Sequence, residues 1–198
     1  MVTVGLQPTG RAWARLVAEG SGCRKCPIAG RASKHVFGRG SLSAKAMFVG
    51  YGPGLSEDVL GVPFVGPAGK CLDAAVKEAF RLHSRNPSVF FTNLLRCRPC
   101  DLLGGPNRDP VPDEIDNCWP LLTRTLEIVN PAVVFLLGQV THYEFGERWL
   151  RSETTASPVA IVEVAHPASI VRRGGVEGAA FETYVRSIFE GLEVLYCG

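Results

Sequence analysis

Four short apolar runs alternate with helical patterns along the chain, and this alternation limits the possible folds more than any other feature. The runs are Ala46 to Gly50, Val89 to Leu95, Ala132 to Gly138 and Val159 to Ala165. They are almost continuous in Val, Ile, Leu and Phe, which is typical of strands buried on both faces. Apolar residues at helical spacing lie between or after them, within 72–80, 115–129, 140–150 and 181–192. This order predicts an α/β protein, a three-layer α/β/α sandwich with a central four-stranded parallel sheet.

Length and charge restrict the class of protein further. With 198 residues the chain can bury a sizeable core, and a net charge of +2 is too small to indicate nucleic-acid binding by composition alone. The longest apolar runs are too short to span a bilayer, and the first residues lack the apolar region of a secretory signal. We therefore expect one domain over residues 1–198, located in the cytoplasm and without a membrane partner.

The seven cysteines form the clearest chemical signal outside the strands. They comprise two C-x2-C pairs and three single positions: Cys23 with Cys26, Cys97 with Cys100, and Cys71, Cys118 and Cys197. Without an export signal, reduced thiols are expected, some of them on a metal. The spacing indicates either a zinc site made by the two pairs or an iron–sulfur cluster that takes three of their cysteines together with Cys118. The other two are expected to pack in the core: Cys71 and Cys197.

The segment from Gly50 to Gly69 directly follows the first predicted strand. Its glycines at the strand exit indicate that backbone approaches another group closely. The segment also contains two neighbouring carboxylates, Glu57 and Asp58, and an aromatic residue, Phe64, that belongs to no helical or strand pattern. Backbone amides, a carboxylate and an aromatic face together suit a binding site for a flat, polar ring.

Polar residues also follow the other three predicted strands. The second strand ends near Asn93, the third at Gly138, and the fourth just before His166. Ligands of parallel sheets bind beyond the carboxyl ends of the strands. We therefore expect these residues and the Gly50–Gly69 segment to meet at one edge of the sheet and to form one site.

The residues at these positions carry a family resemblance. The chain resembles the family 4, iron–sulfur branch of the uracil-DNA glycosylase superfamily through blocks that occur in the family's order: CRKCPIAGR, VFGRG, MFVGYGPG, PFVGPAG, TNLLRCRP, NRDPVPDEIDNC, LLGQV and HPASIVRR. Several positions depart from it, among them Leu55 and Ser56, where polar or acidic residues are frequent. Tyr51 stands where an acidic or amide residue is usual, and Leu102 to Gly105 lengthen the stretch between Cys97 and Cys118.

The resemblance implies a base-excision DNA repair enzyme that hydrolyses the bond between uracil and deoxyribose and leaves an abasic site. Glu57, ahead of Asp58, would stabilise the sugar cation and orient water. His166 would donate to the uracil anion as a neutral imidazole, and Asn93 would read the edge of the base. Three further residues would line the base site, with the phenyl ring stacked on the uracil: Tyr51, Gly52 and Phe64.

The resemblance also implies a [4Fe-4S] cluster whose four thiolate ligands are Cys23, Cys26, Cys97 and Cys118. Zinc is the alternative cofactor. In this assignment Cys100 is not a ligand. The partner would be uracil-containing DNA at the nucleoid, and we expect the protein to act as a monomer. Ile170 would be the apolar wedge that fills the gap left by the flipped base. Four arginines would contact phosphates: Arg172, Arg173, Arg98 and Arg96.

Two other functions remain open from the sequence. Tyr51 in place of an acidic residue is compatible with a protein that binds or covalently traps uracil-DNA with little turnover. The cysteine pairs are compatible with a metal-cluster interaction module that docks on a replication protein. Specific release of uracil would distinguish the enzyme from both.

Overall fold

A computed structural model describes residues 8–85, 88–156 and 160–196. It contains five strands: β1 (Arg39–Gly40), β2 (Ala46–Gly50), β3 (Val89–Asn93), β4 (Val133–Leu137) and β5 (Ala160–Val164). Its α-helices are α1 (Pro8–Ser21), α2 (Leu55–Leu60), α3 (Pro67–Leu82), α4 (Pro112–Val129), α5 (Gln139–Trp149), α6 (Pro167–Arg172) and α7 (Ala180–Leu192). None of these helices is long and apolar enough to cross a membrane.

The strands form one sheet in the order β1-β3-β2-β4-β5. The four longer strands are parallel, as predicted, and each coincides with one of the four apolar runs. A fifth strand was not expected, because β1 has only two residues and pairs antiparallel with the edge of β3. A two-residue strand has too few positions to show the alternation from which strands are predicted.

Helices cover both faces of the sheet, which confirms the three-layer prediction. Alternate residues of the central strands point to opposite sides: Phe48 packs with α3, α6 and α7, whereas Met47 packs with α4 and α5. The strands β2 and β4 are buried at every position. The last strand was predicted to be buried on both faces, and this is wrong. β5 lies at the edge of the sheet, and the residues that point to one of its faces, including Ile161, are exposed.

Three helices lie where no helical pattern was predicted, and two of them shape the site. Both α2 and α6 have six residues and follow β2 and β5 within a few positions. A single turn and a half of helix is too short to display a periodic stripe. The third, α1, packs against α4.

Two helical glycines differ in the space around them, and this difference predicts opposite effects of alanine on stability. A Cβ at Gly191 would overlap the ring of Phe135, whereas a Cβ at Gly146 in α5 would meet no atom within 4 Å. We expect Gly191→Ala to lower the free energy of unfolding by about 1–3 kcal/mol through overpacking. Gly146→Ala should raise it by about 0.5–1 kcal/mol, because alanine favours the helix. Urea denaturation measures both, and equal effects would contradict the described packing.

Candidate active site

The register of the parallel sheet brings the candidate residues together at one edge. Gly50 and Asn93 are partners across β2 and β3, so the two strands end side by side. The loops that leave β2, β3 and β5 surround a cavity of about 150 Å³ lined by Tyr51, Gly52, Gly54, Glu57, Phe64, Ala68, Gly69, Asn93, Asn107 and His166. All six residues predicted for catalysis or base binding therefore lie around one cavity. It is smaller than the about 300–1,000 Å³ that drug-sized ligands occupy.

Phe64 and Asn93 meet above Gly50. A Cβ at position 50 would lie 2.6 Å from Asn93 Oδ1 and 2.9 Å from Phe64 Cζ, so only glycine leaves room for both side chains. Phe64 has a positive φ of 56°, which is uncommon for a residue with a side chain. Arg39 supports this turn by donating from Nε to the Pro63 carbonyl at 2.9 Å.

Glu57 and Asp58 are neighbours in α2 but point to different places. One carboxylate oxygen of Glu57 accepts from the backbone amides of Val65 and Gly66, at 3.0 and 2.9 Å, and the side chain lines the cavity. The buried carboxylate of Asp58 instead accepts from the amide of Ser33, at 3.0 Å to one oxygen and 3.1 Å to the other. The carboxylate that lines the cavity is therefore that of Glu57.

His166 ends the loop after β5 and begins α6. Its Nδ1 accepts a hydrogen bond of 3.2 Å from the amide of Ala168, so this nitrogen carries no proton. Burial, and to a smaller extent the charge of Arg172, lowers the pKa of His166 to about 4. The imidazole is therefore neutral near pH 7, and its proton is on Nε2. Gly138, with φ of 88°, leaves space beside it, since a Cβ there would lie 3.0 Å from the His166 Cβ.

Tyr51 and Gly52 form the wall that connects the cavity to the cysteine loop. The ring of Tyr51 lies 5.6 Å from the imidazole of His166, centroid to centroid. Gly52 faces the loop of the second C-x2-C pair, because a Cβ there would be 3.0 Å from Pro99 Cδ. The departure from the family pattern at Tyr51 thus places a phenol ring beside His166, the candidate hydrogen-bond donor to the base.

Asn107 lines the cavity and was missed in the sequence. Its Nδ2 donates to the Pro53 carbonyl at 3.0 Å, and its Oδ1 accepts from Nε of Arg98 at 2.6 Å. It lies in the irregular loop between β3 and α4, which has no period to mark it. Only its presence in the block NRDPVPDEIDNC set it apart from other loop residues.

Arg98 does not occupy the position that a phosphate contact requires. Its side chain is buried, and its guanidinium donates to Asn107 and to the Gly105 carbonyl. Arg96 is also fully buried and donates to Thr92, at 2.6 Å, and to Thr125, at 3.0 Å. Arginines next to a cysteine pair were expected on the surface, but here Arg96 donates to hydroxyl and backbone oxygens inside the fold, and Arg98 donates to an amide oxygen and a backbone oxygen.

The other three predicted DNA contacts differ in their exposure. Arg172 and Arg173 at the end of α6 are exposed. Ile170 is only 1% exposed and packs in the core with α3 and α7. It was expected as a protruding wedge on a loop, but it follows Pro167 by three positions in a helix, so both side chains face inward. Ile170 therefore does not protrude from the protein surface.

The four cysteines of the predicted cluster come from three separate elements. Cys23 and Cys26 follow α1, Cys97 follows β3, and Cys118 lies in α4; all the described cysteines are free thiols. Burial raises the pKa of Cys97, and the nearby sulfurs of Cys118, Cys26 and Cys23 raise it further. The pKa of Cys26 is raised by burial and by the same neighbours. Cys100 is buried but does not contribute to these effects.

Three cysteines thus raise the pKa of a fourth. The arrangement of the four is nevertheless not that of a site for a single metal ion. Within the described ranges, no group of three or more His, Cys, Asp or Glu side chains is arranged to hold one metal ion. Cys71 is buried in the core as predicted, and Cys197 lies outside the described residues.

Arg96 lies beside these sulfurs with an incomplete set of partners. Its Nε is buried and has no hydrogen-bond acceptor among the described residues. Burial lowers the pKa of its guanidinium to about 10, while the sulfurs of Cys118 and Cys97 act in the opposite direction. A buried cation without a carboxylate partner is costly unless an anion lies nearby. A set of sulfur donors beside such a cation fits an anionic iron–sulfur cluster.

A family model gives the same class of protein. The model described as the uracil DNA glycosylase superfamily matches residues 37–190, which include the whole cavity. Together with the relatives described next, this match shows that the chain belongs to that superfamily and to its type-4 branch.

Individual proteins are similar over most of the chain. A type-4 uracil-DNA glycosylase of Archaeoglobus fulgidus is 33% identical over 80% of this chain and 82% of its own length. One of Thermotoga maritima is 31% identical over 76% and 78%, and one of Saccharolobus solfataricus is 40% identical over 67% and 58%. The crystal structure of Pedobacter heparinus SMUG2 covers 79% of this chain and 77% of its own, with a TM-score of 0.57 and 10% identity, and so shares the fold.

The pKa of His166 gives a prediction about pH. We expect its imidazole to titrate near pH 4 in the folded protein, whereas a histidine in the unfolded chain titrates near pH 6.5. The unfolded chain then binds a proton between these values that the folded protein does not. The corresponding stability is present above pH 6.5 and is lost as the pH falls towards 4, by roughly 3 kcal/mol in total. Titration by NMR measures the pKa, and a value near 6.5 would contradict the described burial.

Proposed function

We propose that this protein removes uracil from DNA by hydrolysis of the N-glycosidic bond. The observation that carries the proposal is the single cavity that unites Glu57, Asn93, His166 and Phe64 at the carboxyl edge of the sheet. These residues supply a carboxylate, an amide, a neutral imidazole donor and an aromatic face. The membership in the type-4 branch supports the same activity.

Recognition of the base would rest on Asn93 and Phe64. An amide has one donor and one acceptor, which matches the edge of uracil at its N3 and a neighbouring carbonyl oxygen. Asn93 is buried, and its side chain lines the cavity, where a ligand would meet it. Phe64 would stack on the ring. Because the cavity lies inside the fold, the nucleotide must leave the duplex to reach it.

Cleavage would be promoted at both ends of the breaking bond. As the bond to N1 lengthens, the two electrons move to uracil, and His166 Nε2–H is suited to donate to the oxygen that gains charge. A neutral donor matches this task, because it need not release its proton. The carboxylate of Glu57 would stabilise the positive sugar and orient the attacking water. One oxygen of Glu57 is held by two amides, which leaves the other for the water.

The lining of the cavity favours hydrolysis over a lyase reaction. A lyase needs an amine that forms a Schiff base with the sugar. The described residues around the cavity include no lysine. The product would then be an abasic site with the strand intact, as expected of a monofunctional enzyme in base excision repair.

We further propose that a [4Fe-4S] cluster is held by Cys23, Cys26, Cys97 and Cys118. The sulfurs of Cys23, Cys26 and Cys118 lie close enough to Cys97 to raise the pKa of its thiol. The buried guanidinium of Arg96 lies beside these sulfurs, and its Nε has no acceptor among the described residues. Such a cluster would link the chain before β1, the loop after β3, and α4. Its role would be structural, because it would fix the loop that carries Pro99 and Asn107 against the cavity.

DNA would approach the edge that contains α6. Arg172 and Arg173 are exposed there and are suited to phosphates on either side of the flipped nucleotide. We propose that the protein acts as a monomer on DNA at the nucleoid. Arg98 is excluded from this surface by its burial.

A uracil-containing oligonucleotide tests the reaction and the role of Glu57. Treated with the protein and then with hot alkali, it should be cut at uracil, whereas a thymine control should stay intact. Glu57→Gln should reduce the rate about 10²–10³-fold, since a positioned charge is lost. The matched control is Asp58→Asn, which keeps an oxygen to accept from Ser33 and should retain activity.

The opposite outcomes are equally informative. Full activity of Glu57→Gln would remove Glu57 from the mechanism. Uracil-specific binding without base release would favour the protein that binds or traps uracil-DNA, for which the contact of Tyr51 with His166 is the relevant observation. DNA binding with no preference for uracil would favour the interaction module.

Two cysteine substitutions test the ligand set. Cys118→Ala should lose iron and acid-labile sulfide from anaerobically purified protein, because one thiolate ligand is removed. Cys100→Ala should keep both. Loss of metal in Cys100→Ala, or zinc in place of iron in the wild type, would instead assign the site to the two C-x2-C pairs.

A further inference from the structure

Two neighbouring leucines project from the loop between β3 and α4. Leu102 is 74% exposed and Leu103 is 79% exposed. Burial of an exposed leucine is favourable, so two neighbouring exposed leucines have a strong tendency to contact another apolar surface. They belong to the segment that lengthens this loop relative to the family pattern.

The leucines are held in a defined turn. The amide of Gly105 donates to the Leu102 carbonyl at 3.0 Å, which closes a four-residue turn, and Gly104 has the positive φ of 76° that the third position of such a turn requires. Leu103 is therefore at the tip. A tip whose backbone is already ordered loses little entropy when it enters a partner.

The base of the turn is fastened to the wall of the cavity. The buried guanidinium of Arg98 donates to Gly105 and to Asn107, and Asn107 donates to Pro53 next to the first glycine loop. Arg108 adds an ion pair with Asp101 on the other side of the turn, at 2.6 Å. Asn107 follows Leu103 by four positions, so the tip lies within about 14 Å of a residue that lines the cavity.

We propose that Leu102 and Leu103 insert into the DNA base stack beside the flipped nucleotide. Apolar side chains that enter between bases partly offset the cost of unstacking. The predicted wedge, Ile170, is buried in the core and is not exposed at the surface. The leucine turn supplies an exposed apolar tip on a loop that borders the base site. This inference rests on the proposed function.

The turn matters only where a stacked base must be extruded, and this gives a sharp test. We expect a Leu102→Ser, Leu103→Ser double variant to lose about tenfold in kcat/KM on a uracil duplex relative to single-stranded DNA. Activity on the single strand should stay near the wild-type value and shows that the variant is folded. Leu103→Met should retain duplex activity, because it keeps an apolar tip.

A matched control is Leu150→Ser at the end of α5. This leucine is 85% exposed but belongs to no part of the cavity, so its loss should change neither activity. A second measurement uses 2-aminopurine beside an abasic-site analogue in a duplex. Wild-type protein should raise its fluorescence by unstacking it, and the double-serine variant should not.

The outcomes separate the two proposals. If the wild type releases no uracil from either substrate, the proposed function fails. If it releases uracil and the double variant keeps the wild-type ratio of duplex to single-strand activity, only the insertion is overturned. An equal loss on both substrates also overturns it, because it would show a role in the cavity rather than in the stack.

Discussion

The close approach of two strand ends is the constraint on which the site depends. Gly50 and Asn93 are paired at the last position of their ladder, and the missing Cβ of Gly50 leaves space for both the Asn93 amide and the Phe64 ring. A larger residue at position 50 would displace one of them. The parallel sheet then carries the other loops to the same edge, and Gly138 makes the corresponding space for His166.

Buried polar contacts tie this edge to the cysteine loops. Asp58 anchors α2 to Ser33, near the first cysteine pair, and Arg98 anchors Asn107 within the loop after the second. Arg96 joins the end of β3 to α4 through Thr92 and Thr125. Each of these groups would be costly to bury alone, so the loops are held in one arrangement by the need to satisfy them. A cluster on the four cysteines would act on the same loops.

Local patterns failed where the chemistry of a residue depends on its burial. Arg98 was predicted to contact phosphates because it lies near the cysteine loop, and Ile170 was predicted to be the wedge from the family resemblance, but both are buried. The three-residue spacing from Pro167 to Ile170 was compatible with a helix face, but six residues are too few to establish it. Asn107 was missed for the related reason that an irregular loop has no period. The distinction between Glu57 and Asp58 rested on the family motif, and the structure adds a physical basis: the two side chains point in different directions.

The sequence by itself determined the four parallel strands, the layers on both faces and the candidate residues at the strand ends. Buried strands and amphipathic helices have patterns that persist over many residues, and a parallel sheet sends its carboxyl ends to one edge whatever the loops contain. Only the tertiary structure decided which polar side chains face the cavity and which support it from within. It also showed that Ile170 is buried and that Leu102 and Leu103 are exposed. Exposure and partners are set by contacts between segments far apart in the chain, and no local pattern records them.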